Sequence, residues 1–260
     1  MLELNIHADV RRLERELNDF AQKQVRFATA QALNDTARAV RADLQDEFRS
    51  VFDRPVPRTL NSVRLSFATK ARPEISIEID AEPNKGTAPA RYLQPQIEGG
   101  GRHLKRFERL LQAKGLMPPG WYAVPGAAAP LNQYGNVPGS FLTMLLSYFQ
   151  AFGEQGYRAN MTARRRRSIH RIGRSARGYR RIGGAMYFVS DGLDRTGHLH
   201  RGIWRKRGTH GVDLDPVILF VPAVSYQSRL PYEQTVRRSV DEHFGNAFRT
   251  RLGRAIATVR

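Results

Sequence analysis

The chain has 260 residues, an apolar content of 41% and a formal net charge of +18. This length and apolar content suffice to bury a real core, which excludes a disordered tail. The absence of cysteine excludes disulfides, thiolate metal sites and a cysteine nucleophile. The first residues lack a cationic segment followed by an apolar one, so no secretory signal is expected.

The N-terminal part of the chain predicts helix followed by a hairpin. Residues 9–48 contain neither Gly nor Pro, and their apolar residues recur at helical spacing. This pattern predicts one long helix or two helices that meet near residues 28–34, where the apolar stripe changes phase. The segment DRPVPR, residues 53–58, then ends the helix. Alternation in residues 63–67 and 75–79 predicts a β-hairpin with its turn at 71–73.

An insertion is predicted to begin with the Pro-, Ala- and Gly-rich residues 81–95. Residues 102–114 predict a short amphipathic helix that ends at Gly115. The three glycines at 99–101 are interpreted as a flexible hinge; the alternative, a phosphate-binding loop, lacks the required spacing and Lys-Ser/Thr ending. Residues 118–138 predict an extended loop anchored by two aromatic residues, Trp121 and Tyr122.

The longest apolar concentration is FLTMLLSYFQAF, residues 141–152. A transmembrane helix needs about twenty residues, so this segment predicts a core helix or a helix facing a partner, and no membrane contact is expected. Because its apolar residues occupy more than one helix face, we expect some of them to contact a neighbouring protein. The predicted interface residues are Phe141, Leu145, Phe149, Phe152, Trp121 and Tyr122.

The C-terminal part of the chain predicts three more strands and a helix. The strands are residues 185–190, 201–205 and 217–221, and the helix begins at Pro231 and ends near Thr258. We expect these strands to join the first hairpin in one mainly antiparallel sheet of about five strands. The predicted fold is therefore α+β, with long N- and C-terminal helices packed on that sheet and a helical and loop insertion. The predicted boundaries are 1–80 and 184–260 for the core and 81–183 for the insertion.

No spacing in the sequence matches a catalytic motif, so we expect neither an enzymatic activity nor a cofactor. The best candidate for a metal or nuclease site combines two aspartates and three histidines, because a His-x-His pair on a strand could supply two metal ligands. These residues lie in Gly-rich turns, where Asp and His commonly serve the turn itself, so no metal site is predicted. The five residues are Asp191, Asp194, His198, His200 and His210.

The most informative stretch is residues 158–181, which contain ten arginines and no acidic residue. Arginine is charged at any biological pH, and its planar donors match phosphate, so the stretch predicts a polyanion partner. Its glycines predict a mobile hairpin or loop, and the lack of aromatic partners predicts contacts to phosphates without base contacts. A solvated loop that only aids solubility is the alternative. The predicted phosphate contacts are Arg164, Arg165, Arg166, Arg167, Arg171, Arg174, Arg177, Arg180 and Arg181.

Three segments, in order, carry a resemblance to a known family. They are ATAQALNDTARAVRADL near the N-terminus, TARRRRSIHRIGRSARG in mid-chain, and the ending LDPVILFVPAVSYQSRLPYEQTVRRSVDEHFGNAFRTRLGRAIATVR. Together they resemble the minor tail protein Z, or tail-completion, family of tailed bacteriophages and prophages. The resemblance covers roughly the first and last fifty residues and the arginine-rich stretch. The Pro-rich and apolar residues 118–152 depart from its short members.

The resemblance implies a structural virion protein that forms a ring at the head-proximal end of a phage tail. Such a ring would have six copies, or alternatively twelve, and would contact neighbouring neck or tail proteins. Double-stranded DNA would pass through its lumen and be contacted without sequence specificity by the basic loop. The protein would be assembled in the host cytoplasm and reside in the virion. The alternatives are a stand-alone, sequence-nonspecific DNA-binding protein and a His/Asp metal-dependent nuclease.

Overall fold

The structure, a computed structural model, describes residues 3–7, 19–82, 86–174, 180–193, 196–209 and 213–257, at a few of these positions for the backbone only. The chain divides into two compact units. The first unit comprises Met1–Gly100 and Tyr226–Arg260, and the second comprises Gly101–Ser225. The second unit is therefore inserted into the first, and the chain crosses between them at residues 100–101 and 225–226.

The first unit combines two long helices with a small antiparallel sheet. Its strands are β1 (Glu3–His7), β2 (Val63–Ser66) and β3 (Glu74–Ile79), in the spatial order β1-β3-β2. Its helices are α1 (Asp19–Val51), α2 (Pro57–Leu60), α3 (Pro89–Glu98) and α7 (Tyr232–Ala257). The predicted hairpin is confirmed as the antiparallel pair β2 and β3, in which Leu65 lies opposite Ile77.

The long helix α1 is continuous, which resolves the choice between one helix and two. Its 33 residues correspond to a length of about 50 Å at 1.5 Å per residue. A fully buried apolar stripe runs along it, and β3 supplies the facing side chains Ile75 and Ile77. The stripe keeps its helical spacing throughout, with the members Leu33, Ala37, Val40, Leu44 and Phe48. Residues 8–18, which the sequence assigns largely to this helix, lie outside the described residues.

Helices α1 and α7 are antiparallel, and polar side-chain contacts join them at three places. Arg251 donates two hydrogen bonds to the Asp35 carboxylate, at 2.6 and 2.9 Å. About two helical turns further along α1, the Nε2 atom of His243 lies 3.3 Å from a carboxylate oxygen of Asp43. Further along, the Arg238 guanidinium lies 3.7 Å from a carboxylate oxygen of Glu47. Two arginines of α7, Arg238 and Arg251, are thus paired with carboxylates of α1 within the unit.

The second unit contains a five-stranded antiparallel sheet. Its strands are β4 (Tyr122–Pro125), β5 (Ile172–Arg174), β6 (Arg180–Ser190), β7 (Gly202–Thr209) and β8 (Asp213–Val221), in the order β4-β8-β7-β6-β5. Helices α4 (Arg106–Ala113), α5 (Gly139–Tyr148) and α6 (Ala163–His170) accompany it. Side chains from α4 and α5 share one hydrophobic core with the sheet, which includes the fully buried Leu111, Leu145, Ile203 and Val217.

The α+β class and the two long helices are confirmed, whereas the single sheet is wrong. The structure has a three-stranded sheet in one unit and a five-stranded sheet in the other. Strand order depends on pairing between distant segments, and the alternation in a strand does not reveal its neighbour. The strands after residue 184, assigned to a common core, belong with the inserted material. The second unit therefore spans residues 101–225, where the sequence predicts an insertion over 81–183.

Candidate nucleic-acid interface

The four consecutive arginines Arg164 to Arg167 lie on helix α6, where the sequence predicts a loop or hairpin. The helix begins after Thr162, whose hydroxyl oxygen accepts a hydrogen bond from the backbone N–H of Arg165 at 3.3 Å. It ends at Arg171, which adopts a left-handed conformation with φ of 43°. Arginine is itself a good helix former, and the glycines that disfavour helix begin only after this segment.

The arginines of α6 are accessible and lack carboxylate partners. Arg164, Arg165 and Arg167 are exposed and Arg166 is half-buried. The ion pairs of the second unit join other arginines, namely Arg102 with Glu108, and Arg205 and Arg207 with Asp215. Within the described part of the chain, no carboxylate lies at ion-pair distance from the four arginines. The helix therefore presents a concentrated positive charge to solvent.

Two of these arginines lie at the N-terminus of α6, where the helix dipole disfavours positive charge. The first turn of α6 carries no acidic residue, and it includes Arg164 and Arg165. The N-terminus of a helix has a partial positive charge, so it favours anions and opposes cations. Cations held at this end are stabilised when an external anion binds there. This electrostatic arrangement suits a surface that meets phosphates.

The C-terminal turn of α6 is fixed to the body of the unit through His170, which is buried. The Nε2 atom of His170 lies 2.7 Å from the hydroxyl oxygen of Tyr148, on α5. The same hydroxyl oxygen accepts a hydrogen bond from the backbone N–H of Tyr187, on β6, at 3.2 Å. Burial raises the pKa of Tyr148 above its usual value, so the phenol stays protonated and keeps bridging helix and strand.

Two glycines of β6 allow α6 to lie directly against the strand. A Cβ atom at Gly184 would come 1.9 Å from the carbonyl oxygen of Ile169, which no side chain could tolerate. The N–H of neighbouring Gly183 donates to the carbonyl oxygen of Arg171 at 3.0 Å. From the sequence, these glycines are expected only to disfavour a helix. In the structure they are strand residues whose missing side chains let the basic helix dock.

After α6 the chain forms the antiparallel pair β5 and β6, so the hairpin alternative is correct for this part. Ile172 lies opposite Ile182, and Arg174 lies opposite Arg180 along the strands. Arg171 is exposed, whereas only the backbone is described at Arg174, Arg180 and Arg181. Arg177 lies outside the described residues. The mobility expected of this segment in the free protein stays a prediction.

The apolar residues of 141–152 mostly face the core of their own unit. Leu145 is fully buried, so its assignment to an interface with another protein is wrong. Helix α5 places Leu145, Leu146 and Tyr148 in the hydrophobic core that it shares with the sheet. The other predicted interface residues are half-buried, and they are Phe141, Phe149, Phe152, Trp121 and Tyr122.

Two of these aromatic residues make cation–π contacts with an arginine. The guanidinium carbon of Arg102 lies 4.9 Å from the centre of the Tyr122 ring, and that of Arg201 lies 5.1 Å from Trp121. Such contacts stabilise both the cation and the ring. Tyr122 also belongs to β4. Part of residues 118–138, which the sequence predicts as an extended loop, is therefore a strand.

Three members of the candidate metal cluster, Asp191, His198 and His200, lie within the described residues. The Asp191 carboxylate accepts hydrogen bonds from the N–H of Leu193 and the hydroxyl of Thr196, each at 2.9 Å, and these bonds lower the pKa of Asp191. Asp191 thus stabilises its own turn, and His198 and His200 are exposed. Asp194 and His210 lie outside the described residues. The described residues contain no group of three side chains that could together bind a metal ion.

Sequence reasoning missed two features near the basic helix. One is the link from His170 to Tyr148 and Tyr187, which joins residues far apart in the chain. The other is the exposed ring of Tyr157, in the 3₁₀ turn Glu154–Ala159 that precedes α6. A visible signal for the second was available, since Tyr157 directly precedes the first arginine of the run.

Comparison with known protein families, with characterised proteins and with solved structures gives no significant match. No helix in the described part of the chain is both long enough and apolar enough to cross a membrane.

Proposed function

We propose that this chain is a structural virion protein of a tailed phage that forms a ring at the head-proximal end of the tail, with the basic face of its second unit against DNA. The observation that carries the DNA contact is helix α6, whose four arginines lack carboxylate partners among the described residues and whose last turn is anchored to the core. The ring and its place in the virion are supported by the family resemblance of the sequence.

The expected partner of α6 is the phosphate backbone of duplex DNA. Each guanidinium that contacts a phosphate releases condensed counterions, so binding is driven by charge and weakened by salt. Contacts to phosphates carry no sequence information. This suits a protein that contacts DNA of any sequence as it passes, and it requires no catalytic group.

The first unit is the expected scaffold for assembly. Its long helices α1 and α7 have their facing charges matched by ion pairs such as Arg251 with Asp35. Closed rings are built from repeated interfaces between identical subunits. A ring of six copies is favoured and twelve is the alternative, with neighbouring neck or tail proteins above and below it.

The DNA contact is tested with a variant in which Arg164, Arg165, Arg166 and Arg167 are all replaced by Gln. Duplex binding is measured by fluorescence anisotropy over a range of salt concentrations. We expect weaker binding and a flatter salt dependence, with the slope of log affinity against log salt reduced by about 0.9 for each phosphate that is no longer neutralised. Folding is expected to be unchanged, because none of these charges fills the core.

The matched control removes four exposed arginines from the first unit, so that the decrease in net charge is the same. These are Arg49, Arg54, Arg237 and Arg249, all replaced by Gln. An equal decrease of affinity in both variants would show that net charge alone attracts DNA, and the assignment to α6 would be wrong.

The ring is tested by mass measurement on the purified protein and on phage particles. A closed oligomer of constant copy number is expected. A chain that remains monomeric under all conditions, including in virions, yet binds duplex with steep salt dependence would instead be the stand-alone DNA-binding protein.

A further inference from the structure

The 3₁₀ turn before the basic helix displays an aromatic ring to solvent. Tyr157 is 61% exposed, the largest exposed fraction among the large hydrophobic side chains of the described residues. The guanidinium carbon of Arg158 lies 5.9 Å from the centre of the ring, and its Nε donates to the Tyr157 hydroxyl oxygen at 3.3 Å. The arginine thus covers part of the ring near its hydroxyl end, and much of the ring surface remains accessible.

The turn that carries this ring is held by its neighbours on both sides. Asn160 uses its side chain twice, accepting from the N–H of Phe152 at 3.2 Å and donating to the Phe152 carbonyl oxygen at 2.9 Å. On α5, the Ser147 hydroxyl donates to the carbonyl oxygen of Ala159 at 2.6 Å, and the Ser147 carbonyl oxygen accepts from the N–H of Met161 at 2.9 Å. The backbone near Tyr157 is therefore tied to α5 by several hydrogen bonds.

The contact with Arg158 stabilises the Tyr157 ring from within the unit, and it leaves room for a second partner. An aromatic ring gains stability beyond its burial when it pairs with another ring, and Tyr157 has no aromatic ring partner within the described residues. A few residues after Tyr157, the chain enters α6, whose four arginines have no carboxylate partner among the described residues. An accessible ring with a cation on it, followed in the chain by a row of cations, resembles the combination by which proteins bind the bases and backbone of single strands.

We propose that Tyr157 is a stacking platform for an unpaired nucleobase, so that this basic face binds single-stranded DNA as well as the duplex backbone. The inference rests on the DNA contact of α6 in the proposed function. The base would stack on the accessible part of the ring, Arg158 would lie against the ring or the adjacent phosphate, and the arginines of α6 would follow the backbone. Every base has a π-face, so the site has no strong sequence preference. It departs from the sequence-based expectation of contacts to phosphates without base contacts.

The test measures affinity for a fluorescent oligothymidine and for a duplex of equal length, by anisotropy at one fixed salt concentration. In Tyr157→Ala we expect single-strand affinity to fall about 5- to 150-fold, as for the removal of one stacked base. Duplex affinity should change less than about twofold, because paired bases do not reach the ring. Tyr157→Phe keeps the ring and should retain most of the single-strand affinity, whereas Tyr157→Leu should behave like Tyr157→Ala.

Tyr134→Ala, in another loop of the same unit, serves as the matched control and should leave both affinities unchanged. A second readout is photocrosslinking of a single strand that contains 5-iododeoxyuridine, with the crosslink expected in the peptide that contains Tyr157. The platform is refuted if Tyr157→Leu binds single strands like the unchanged protein, or if Tyr157→Ala weakens both DNA forms equally.

The two proposals fail in different ways. If the quadruple Gln variant of α6 leaves duplex and single-strand affinity intact, the proposed DNA contact is wrong and the platform falls with it. If that variant binds both forms more weakly while Tyr157→Ala binds both normally, only the platform is wrong.

Discussion

The two long helices of the first unit and the short basic helix of the second unit differ in whether their arginines have carboxylate partners. Two arginines that join α7 to α1 contact carboxylates: Arg251 pairs with Asp35 and Arg238 with Glu47. On α6, four adjacent arginines have no such partner in the described part of the chain. Uncompensated positive charges repel one another and thereby destabilise the folded state. The positive charges of α6 have no carboxylate partner among the described residues, and the helix is anchored to its unit, so these charges are available to an external anion.

The second unit also contains an arginine that is paired with a carboxylate, Arg102 with Glu108. Glu108 is fully buried, and its carboxylate accepts hydrogen bonds from Arg102 and from the N–H groups of Lys105 and Ala123. The Arg102 side chain is only 10% exposed. This pair ties the first residues of the unit to α4 and to β4. The second unit thus pairs Arg102 with a carboxylate, whereas the four arginines of α6 have no carboxylate partner among the described residues.

The largest effect is expected for Glu108→Gln. The substitution removes the charge and leaves the buried Arg102 guanidinium without a carboxylate, and breaking a buried ion pair in this way typically destabilises a protein by about 3 to 5 kcal/mol. Both tryptophans, Trp121 and Trp204, lie in the second unit, so tryptophan fluorescence during urea unfolding reports its stability. Glu154→Gln, at an exposed position of the same unit, should have no measurable effect. Equal stability of Glu108→Gln and the unchanged protein would show that the pair is dispensable.

The same pair predicts a pH dependence. Burial alone would raise the pKa of Glu108, but the hydrogen bonds from Arg102, Ala123 and Lys105 outweigh it and hold the pKa below its usual value. A lowered carboxyl pKa contributes stability above its unfolded value of about 4.3, and that contribution is lost as the pH falls through the folded value. The difference in unfolding free energy between the unchanged protein and Glu108→Gln should therefore shrink below about pH 4. A difference that grows on acidification would contradict this account.

The anchoring of the basic helix gives the next effect. Tyr148→Phe keeps the ring but removes the hydroxyl, so the buried His170 ring and the N–H of Tyr187 each lose a partner. One unsatisfied buried group costs about 1 to 3 kcal/mol, and we expect a destabilisation of that size in the second unit. Hydrogen exchange should become faster at the amides of α6 and near Tyr187. Tyr134→Phe is the control, and unchanged exchange in α6 would show that the helix is held by other contacts.

A smaller effect is expected where the first unit matches its charges at the surface. Asp35→Asn weakens the contacts with Arg251 and Arg38, and all three side chains retain solvent access. Pairs of this kind contribute about 0.2 to 1 kcal/mol, and salt screens them. Hydrogen exchange in α1 should therefore accelerate slightly at low salt and less at high salt. Asp46→Asn, at a more exposed pair with Arg49, should be neutral.

Local patterns predicted much of the fold. The apolar stripe of α1, the hairpin of β2 and β3, and helix α7 are each encoded by nearby residues at a fixed period. The division into two sheets was not predicted, because it depends on which distant strands pair, as β1 pairs with β3 and β4 pairs with β8. Helix α3 was missed because its prolines, Pro89 and Pro95, suggested a connector. Pro89 is at the helix start, where its missing N–H is harmless.

The candidate site was predicted in part. Composition alone identified the arginines, because a run of ten without an acidic residue is conspicuous in the sequence. Composition could not show that Arg164 to Arg167 share a helix, because an eight-residue helix depends on its docking more than on its own propensity. It also could not reveal that Gly184 lies under Ile169, or that Tyr148 holds His170. Those contacts exist only once the second unit has folded.

The smallest effect tests the unmatched charge itself, on a single arginine. Arg164 lies in the first turn of α6, where the helix dipole opposes a cation, and Arg167 lies in the last turn, where the dipole favours one. Arg164→Gln should therefore stabilise the second unit slightly, by about 0.3 kcal/mol at low salt, and Arg167→Gln should destabilise it by a similar amount. Tryptophan fluorescence during urea unfolding measures both, and the two differences should vanish as salt is raised. DNA affinity should fall in both variants alike, because each has one guanidinium fewer. If Arg164→Gln proves less stable at low salt, that arginine has a partner within the protein, and the contrast between matched and unmatched arginines does not hold at the start of α6.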